Sequence, residues 1–153
     1  MHSSIAVANR FLELAQERGK TLTPMQLLKL VYLAHGWMLG LHGRPLISDD
    51  VEAWQYGPVI PKLYNAIRHF KSAPVTGPLR ASDTGLDETE TDIVQQTFDI
   101  YGDKTGPALS RLTHMAGGPW EAVYERGAFG TDIPNDLIED HYRQLAAKAE
   151  ATA

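Results

Sequence analysis

A chain of 153 residues with a formal net charge of −5 and no cysteine suits one domain built on one core. The missing cysteines exclude disulfides, cysteine-ligated zinc and thiol catalysis, and they point to a reducing cytoplasm. The acidic balance gives no global basic field for nucleic acid, and no apolar run approaches the ~20 residues that cross a bilayer. Met1-His2-Ser3-Ser4 lacks the basic start of an export signal, so the expectation is a soluble intracellular protein with no membrane partner.

Helical spacing dominates from the start. A first helix is predicted over residues 4–18, capped by Ser3 or Ser4, with Ile5, Ala8, Phe11, Leu12 and Ala15 recurring on one side and Gly19-Lys20 ending it. A second helix is predicted over about 23–42. Thr23 can cap it, Pro24 fits its first position, and His42-Gly43 stops it. Its apolar residues (Leu27, Leu28, Leu30, Val31, Leu33, Ala34, Trp37, Met38, Leu39) point in too many directions for one stripe. A rod that is apolar all round belongs at the centre, enclosed by neighbours.

Residues 44–57 change character. Two short extended runs flank Asp49-Asp50, and Val51, Ala53 and Gln55 would share one strand face, with Glu52, Trp54 and Tyr56 on the other. A small hairpin or strand-like arm is expected there, turning at Gly57-Pro58 into a third helix that ends near Phe70 and faces inward with Val59, Leu63, Ala66, Ile67 and Phe70. Residues 72–86, with Pro74, Gly77, Pro78 and Gly85, read as a long loop.

Helical spacing resumes over 87–101 with Ile93, Val94, Thr97, Phe98 and Tyr101, behind an acidic first turn (Asp87, Glu88, Glu90) of the kind a helix amino end favours. A fifth helix is expected from Thr105 to Met115, a short sixth from Pro119 to Tyr124, and a loop or edge strand from Ala128 to Ile133. A last helix is expected from Asn135 to about Ala147, followed by a frayed Ala-rich tail. The fold class is therefore mainly α: a single domain, residues 1–153, of six or seven helices around a central apolar one.

The chemistry-bearing residues form no catalytic constellation. Lys29, Tyr32 and His35 lie at i, i+3 and i+6 on the central helix. A lysine there must reach water or find a carboxylate, because an unpaired buried charge is very costly. Glu52 is the nearest strong acidic candidate in sequence, so a Lys29–Glu52 pair tying arm to helix is expected. A lysine activated by burial is the alternative. The six histidines (His2, His35, His42, His69, His114, His141) show no metal-ligand spacing, and each reads as a structural histidine; no metal or cofactor is expected. No Ser stands in a nucleophile motif and no Gly-rich phosphate loop is present.

From Ala53 to Ser82 there is no acidic residue, while Lys62, Arg68, Lys71 and Arg80 fall there. That basic face suits an acidic protein partner, weak phosphate contact, or nothing but water. Trp54, Tyr56, Tyr64 and Trp120 lie near Pro or Gly turns, where aromatics serve as rim packing or as partner anchors. Packing is expected of Trp120, and anchoring is a reading open to Tyr56 and Tyr64.

The motif block resembles the Panacea domain, the antitoxin family that includes phage-associated GepA-type proteins and the SocA-type proteolytic adaptor. The residues that carry it are Ala8-Asn9, Phe11-Leu12, Thr23-Pro24-Met25, Leu27, Lys29-Leu30, Tyr32, Ala34, Gly36 and Pro45-Leu46. They continue with Glu52-Ala53-Trp54, Tyr56-Gly57-Pro58-Val59, Tyr64, Leu112-Thr113-His114 and Pro119-Trp120, so the likeness spans about 5–125. Residues 72–103 and the tail match no motif. The resemblance implies a non-enzymatic antitoxin that binds a cognate toxin protein and, in the adaptor branch, hands it to an ATP-dependent Clp-type protease.

The partner-binding surface expected from these residues is a groove between the arm (Trp54, Tyr56, Gly57, Pro58), the third helix (Tyr64, Arg68) and the 72–86 loop. Lys29, Tyr32, His35, Glu52, His114 and Trp120 are expected to support it structurally. Two other classes stay open: a DNA-binding autoregulator using the basic third helix, and a small enzyme or nucleotide binder using Lys29, His35 and His114.

Overall fold

Helix α1 (Ser4–Glu17) starts where the Ser3 hydroxyl accepts from the Ala6 amide. Helix α2 (Pro24–His42) starts at a reciprocal cap in which Thr23 and Gln26 each accept the other's backbone amide, and it stops at Gly43 in the left-handed conformation. In this computed structural model, which describes residues 1–81, 85–115, 117–126 and 128–152, α2 is the axis of the fold. Leu27, Leu30, Val31, Ala34 and Met38 have no exposed surface, and burial runs round every side of the helix.

Strands β1 (Glu52–Trp54) and β2 (Gly57–Val59) form a tight hairpin across Gln55-Tyr56, followed by α3 (Pro61–Ile67) and a single 3-10 turn at Arg68–Phe70. Helices α4 (Glu88–Tyr101), α5 (Gly106–Thr113) and α6 (Pro119–Val123), strand β3 (Thr131–Asp132) and helix α7 (Asn135–Thr152) complete the chain. The sheet is antiparallel in the order β2-β1-β3. Seven helices and a small sheet among the described residues bear out the mainly α expectation.

Two boundaries differ from the sequence reading. Gly57-Pro58 is not the turn into a helix but part of an edge strand, where Pro58 pairs with Ala53 and a missing N–H is tolerated. The turn into α3 falls at Ile60-Pro61 instead. The Ala-rich end does not break the last helix, which continues to Thr152, because alanine carries the highest helix propensity. Of the 72–86 loop, Ser82, Asp83 and Thr84 lie outside the described residues.

Helix α7 packs along α2 more extensively than any other pair of elements. Two glycines permit that approach: a Cβ on Gly36 would lie 2.4 Å from the Tyr142 ring, and one on Gly40 would lie 2.6 Å from Tyr142 Cβ. The chain start is tied to α4 by a His2–Glu90 contact of 2.8 Å, with Glu90 also accepting from the Asp87 amide. One cluster of buried apolar side chains joins α1, α2, α3, α4 and α7 to the hairpin.

Candidate functional site

The hairpin rests on α2 and α5, and a cluster of polar contacts holds it there. Lys29, only 4% exposed, donates from Nζ to the Pro58 carbonyl at 2.9 Å and, at 3.5 Å, to the Tyr56 carbonyl. The Ser110 hydroxyl donates to that same Tyr56 oxygen at 2.7 Å. Gly57 makes this approach possible: its φ is 120°, and a Cβ there would lie 2.9 Å from Lys29 Nζ and 3.5 Å from His114 Nδ1.

The expected Lys29–Glu52 ion pair is therefore not formed. Lys29 does tie the hairpin to the central helix, but through backbone carbonyls. The strand puts Glu52 on the opposite face of the sheet from Ala53, and its carboxylate accepts the Trp54 indole N–H at 3.0 Å instead. Burial pulls the Lys29 ammonium down from its usual value to about 8.

Trp120 also fixes the hairpin. Its indole N–H donates to the Trp54 carbonyl at 2.6 Å, and its ring stacks on Tyr124 with centroids 4.5 Å apart and contacts His114 at 5.1 Å. Trp54 in turn meets the Tyr64 ring edge-on at 5.0 Å, while the Arg68 guanidinium lies 5.8 Å from the Tyr64 centroid.

Trp54, Tyr64, Arg68 and Tyr124 line an open groove of about 650 Å³. One wall is the hairpin, through Trp54, Tyr56 and Val59; the facing wall is α3 and the turn after it, through Tyr64, Arg68 and Lys71. Met25, Leu28 and Lys29 from the first turns of α2 also line it, as do Tyr124 and Phe129, the latter with its ring 5.0 Å from that of Trp54. Tyr56 is 69% exposed, Phe129 80% and Met25 42%, so three large apolar side chains of the lining face solvent.

The structure thus brings Trp54, Tyr56, Tyr64 and Arg68 together on one groove, and seats Gly57 and Pro58 beneath it on Lys29. The described part of the 72–86 loop does not line the groove: Val75 N–H donates to the Leu22 carbonyl, and Asn9 exchanges two hydrogen bonds with the backbone of Leu79. Sequence reasoning missed Met25, Tyr124 and Phe129; a large aromatic isolated in the Ala128-Phe129-Gly130 loop was the signal for the last.

Lys29, His35 and His114 do not form one site. His114 flanks Gly57 near Lys29, but His35 lies about 9 Å along the helix from Lys29 with partners of its own. The Leu46 and Ile47 amides both donate to its Nδ1 at 3.3 Å, so the proton is on Nε2, which donates to Asn135 Oδ1 at 3.0 Å. Burial lowers the His35 pKa to about 4, against the opposing effect of the Asn135 bond. Tyr32 is buried against Tyr142, and burial raises its pKa. On the basic face, Lys62 is placed 3.6 Å from Asp49. Among the described residues, no group of three or more His, Asp or Glu side chains is placed to hold a metal, and no helix is long and apolar enough to cross a membrane.

The family described as "Antitoxin SocA-like, Panacea domain" matches residues 27–121. That span contains Lys29, the whole hairpin, Tyr64, Arg68, His114 and Trp120, and stops short of Tyr124 and Phe129. The protein Antitoxin SocA of Caulobacter vibrioides (strain NA1000 / CB15N) is 28% identical over 152 residues, covering 90% of this chain and 81% of that protein. No solved structure matches. With more than half of its length inside the family's match, the chain belongs to the SocA-like, Panacea-domain antitoxin family.

Proposed function

We propose that this chain neutralises a cognate protein toxin by gripping a segment of it in the groove between hairpin and α3. It acts by occlusion, without catalysis, in the cytoplasm. The observation that carries this reading is the exposure of Tyr56 and Phe129, 69% and 80%, on a groove whose lining also includes Trp54, Tyr64 and Tyr124. A monomeric protein seldom leaves so apolar a groove to water, and rigid aromatic anchors are the side chains that dominate protein interfaces. The Lys29, Ser110 and Trp120 bonds hold the groove's walls in place before any partner arrives, which lowers the ordering cost of binding. The resemblance to the adaptor branch adds delivery of the bound toxin to an ATP-dependent Clp-type protease as a second step.

The test is co-expression with the product of a neighbouring gene that is lethal when expressed alone. Tyr64→Ala combined with Arg68→Glu, or Phe129→Ala alone, should abolish protection and co-purification while the domain still folds and melts cooperatively. Full protection by all of these variants would remove the groove from the mechanism. Toxin levels followed in a strain lacking the protease separate occlusion, which persists there, from delivery, which does not.

A further inference from the structure

The charges along the groove are all of one sign. Lys29 lies on its floor and Arg68 and Lys71 on its rim, while no Asp or Glu is among the described lining residues. This stands out in a chain of formal charge −5. The Lys29 ammonium is further short of partners. It has three protons, and the described residues offer it two carbonyl oxygens, one of them at the 3.5 Å limit, and no carboxylate within ion-pair distance. A nearly buried cation held only by carbonyl dipoles gains from an incoming anion, because the desolvation has already taken place in the free protein. Flanking it, Trp54, Tyr64 and Phe129 offer flat apolar surfaces.

We propose, building on the groove reading above, that the occupant is an extended segment of the toxin in which an Asp or Glu side chain stands between aromatic or large aliphatic residues. The carboxylate lies against Lys29, the apolar neighbours lie on Trp54, Tyr64 and Phe129, and further acidic side chains meet Arg68 and Lys71. Side-chain carboxylates fit better than a single chain terminus, since three cations along one groove call for more than one negative charge.

The experiment presents the purified full chain to a display library of random short peptides and measures the binding of enriched peptides by fluorescence polarisation. Enriched peptides should carry Asp or Glu within two positions of Trp, Phe or Leu. Replacing the acid in the peptide by its amide should weaken binding about tenfold, and so should Arg68→Gln with Lys71→Gln in the protein, with binding weakening as salt rises. Lys29→Met, checked for folding by circular dichroism, should weaken binding further. Absence of enrichment, enrichment of peptides without acids, equal affinity of acid and amide peptides, or tighter binding of a labelled single-stranded oligonucleotide would each overturn the proposal. The two readings fail differently. Acidic peptides that bind Tyr64→Ala and Phe129→Ala variants undiminished would remove the groove, whereas neutral peptides that lose binding to those variants would keep the groove and remove the acid.

Discussion

The Trp120 indole N–H donates to the Trp54 carbonyl at 2.6 Å, joining two segments 66 residues apart in sequence. Through this bond α6 determines where the hairpin wall of the groove stands. Trp120→Phe keeps a ring to stack on Tyr124 but removes the indole donor from the Trp54 carbonyl. The expected loss is about 1 kcal/mol of stability, or about 3 °C in Tm. Hydrogen exchange of the 52–59 amides should accelerate while that of α2 does not. An unchanged exchange rate in the hairpin would mean that the bond does not position it.

Gly40 lies under α7 where a Cβ would sit 2.6 Å from Tyr142 Cβ and 2.8 Å from its carbonyl carbon. Gly40→Ala sets two effects against each other. Intrinsic helix propensity favours alanine by up to ~1 kcal/mol, but a contact that close to backbone forces α7 away from α2, at about 2–3 kcal/mol or more. The clash should win, giving a net loss of stability in chemical denaturation. A neutral or stabilised variant would show that α7 shifts without cost.

The elements were legible in the sequence where local chemistry decides them. Thr23-Pro24 and the acidic turn Asp87, Glu88 and Glu90 are start signals written within a few residues, and both helices start there, each closed by a reciprocal cap. The all-round apolar pattern of 24–42 correctly placed α2 at the centre. The groove was half legible. Trp54, Tyr56, Tyr64 and Arg68 are close enough in sequence to be grouped, but Met25 and Phe129 reach the same groove only through tertiary packing, which no short-range pattern encodes. Lys29 ties the arm to the central helix as expected, but its partner was misassigned because charge alone nominated Glu52. Strand alternation turned that carboxylate away, and the carbonyls flanking Gly57, which no side-chain pattern reveals, took its place.

His35 is neutral in the folded chain, with Nδ1 accepting two amides and Nε2–H donating to Asn135. Its folded pKa of about 4 lies below the usual 6.5, so between those values the unfolded chain binds a proton that the folded chain does not. Stability contributed by the neutral ring is therefore intact above pH 6.5 and falls as the pH drops toward 4, by about 3 kcal/mol in total. Urea denaturation from pH 7 to pH 4 should show this slope, and His35→Gln should flatten it. An identical slope in the variant would assign the acid sensitivity to other groups.

Lys29→Met tests what the buried ammonium contributes, and here two magnitudes nearly cancel. The lowered pKa of about 8 against the usual 10.5 means that burial penalises the charged form at neutral pH by about 3 kcal/mol. Methionine removes that penalty but leaves the Pro58 carbonyl without its donor, at about 1–3 kcal/mol, while the Tyr56 carbonyl keeps Ser110. Net stability at pH 7 should therefore change by less than about 2 kcal/mol. The pH dependence separates the terms. Between pH 8 and 10.5 the unfolded wild-type chain holds a proton that the folded chain has released, so Lys29 makes a stabilising contribution that grows with pH across that window. Subtracting the stability curve of Lys29→Met from that of the wild type should isolate this rise. A flat difference would show that the ammonium is not desolvated at the groove floor.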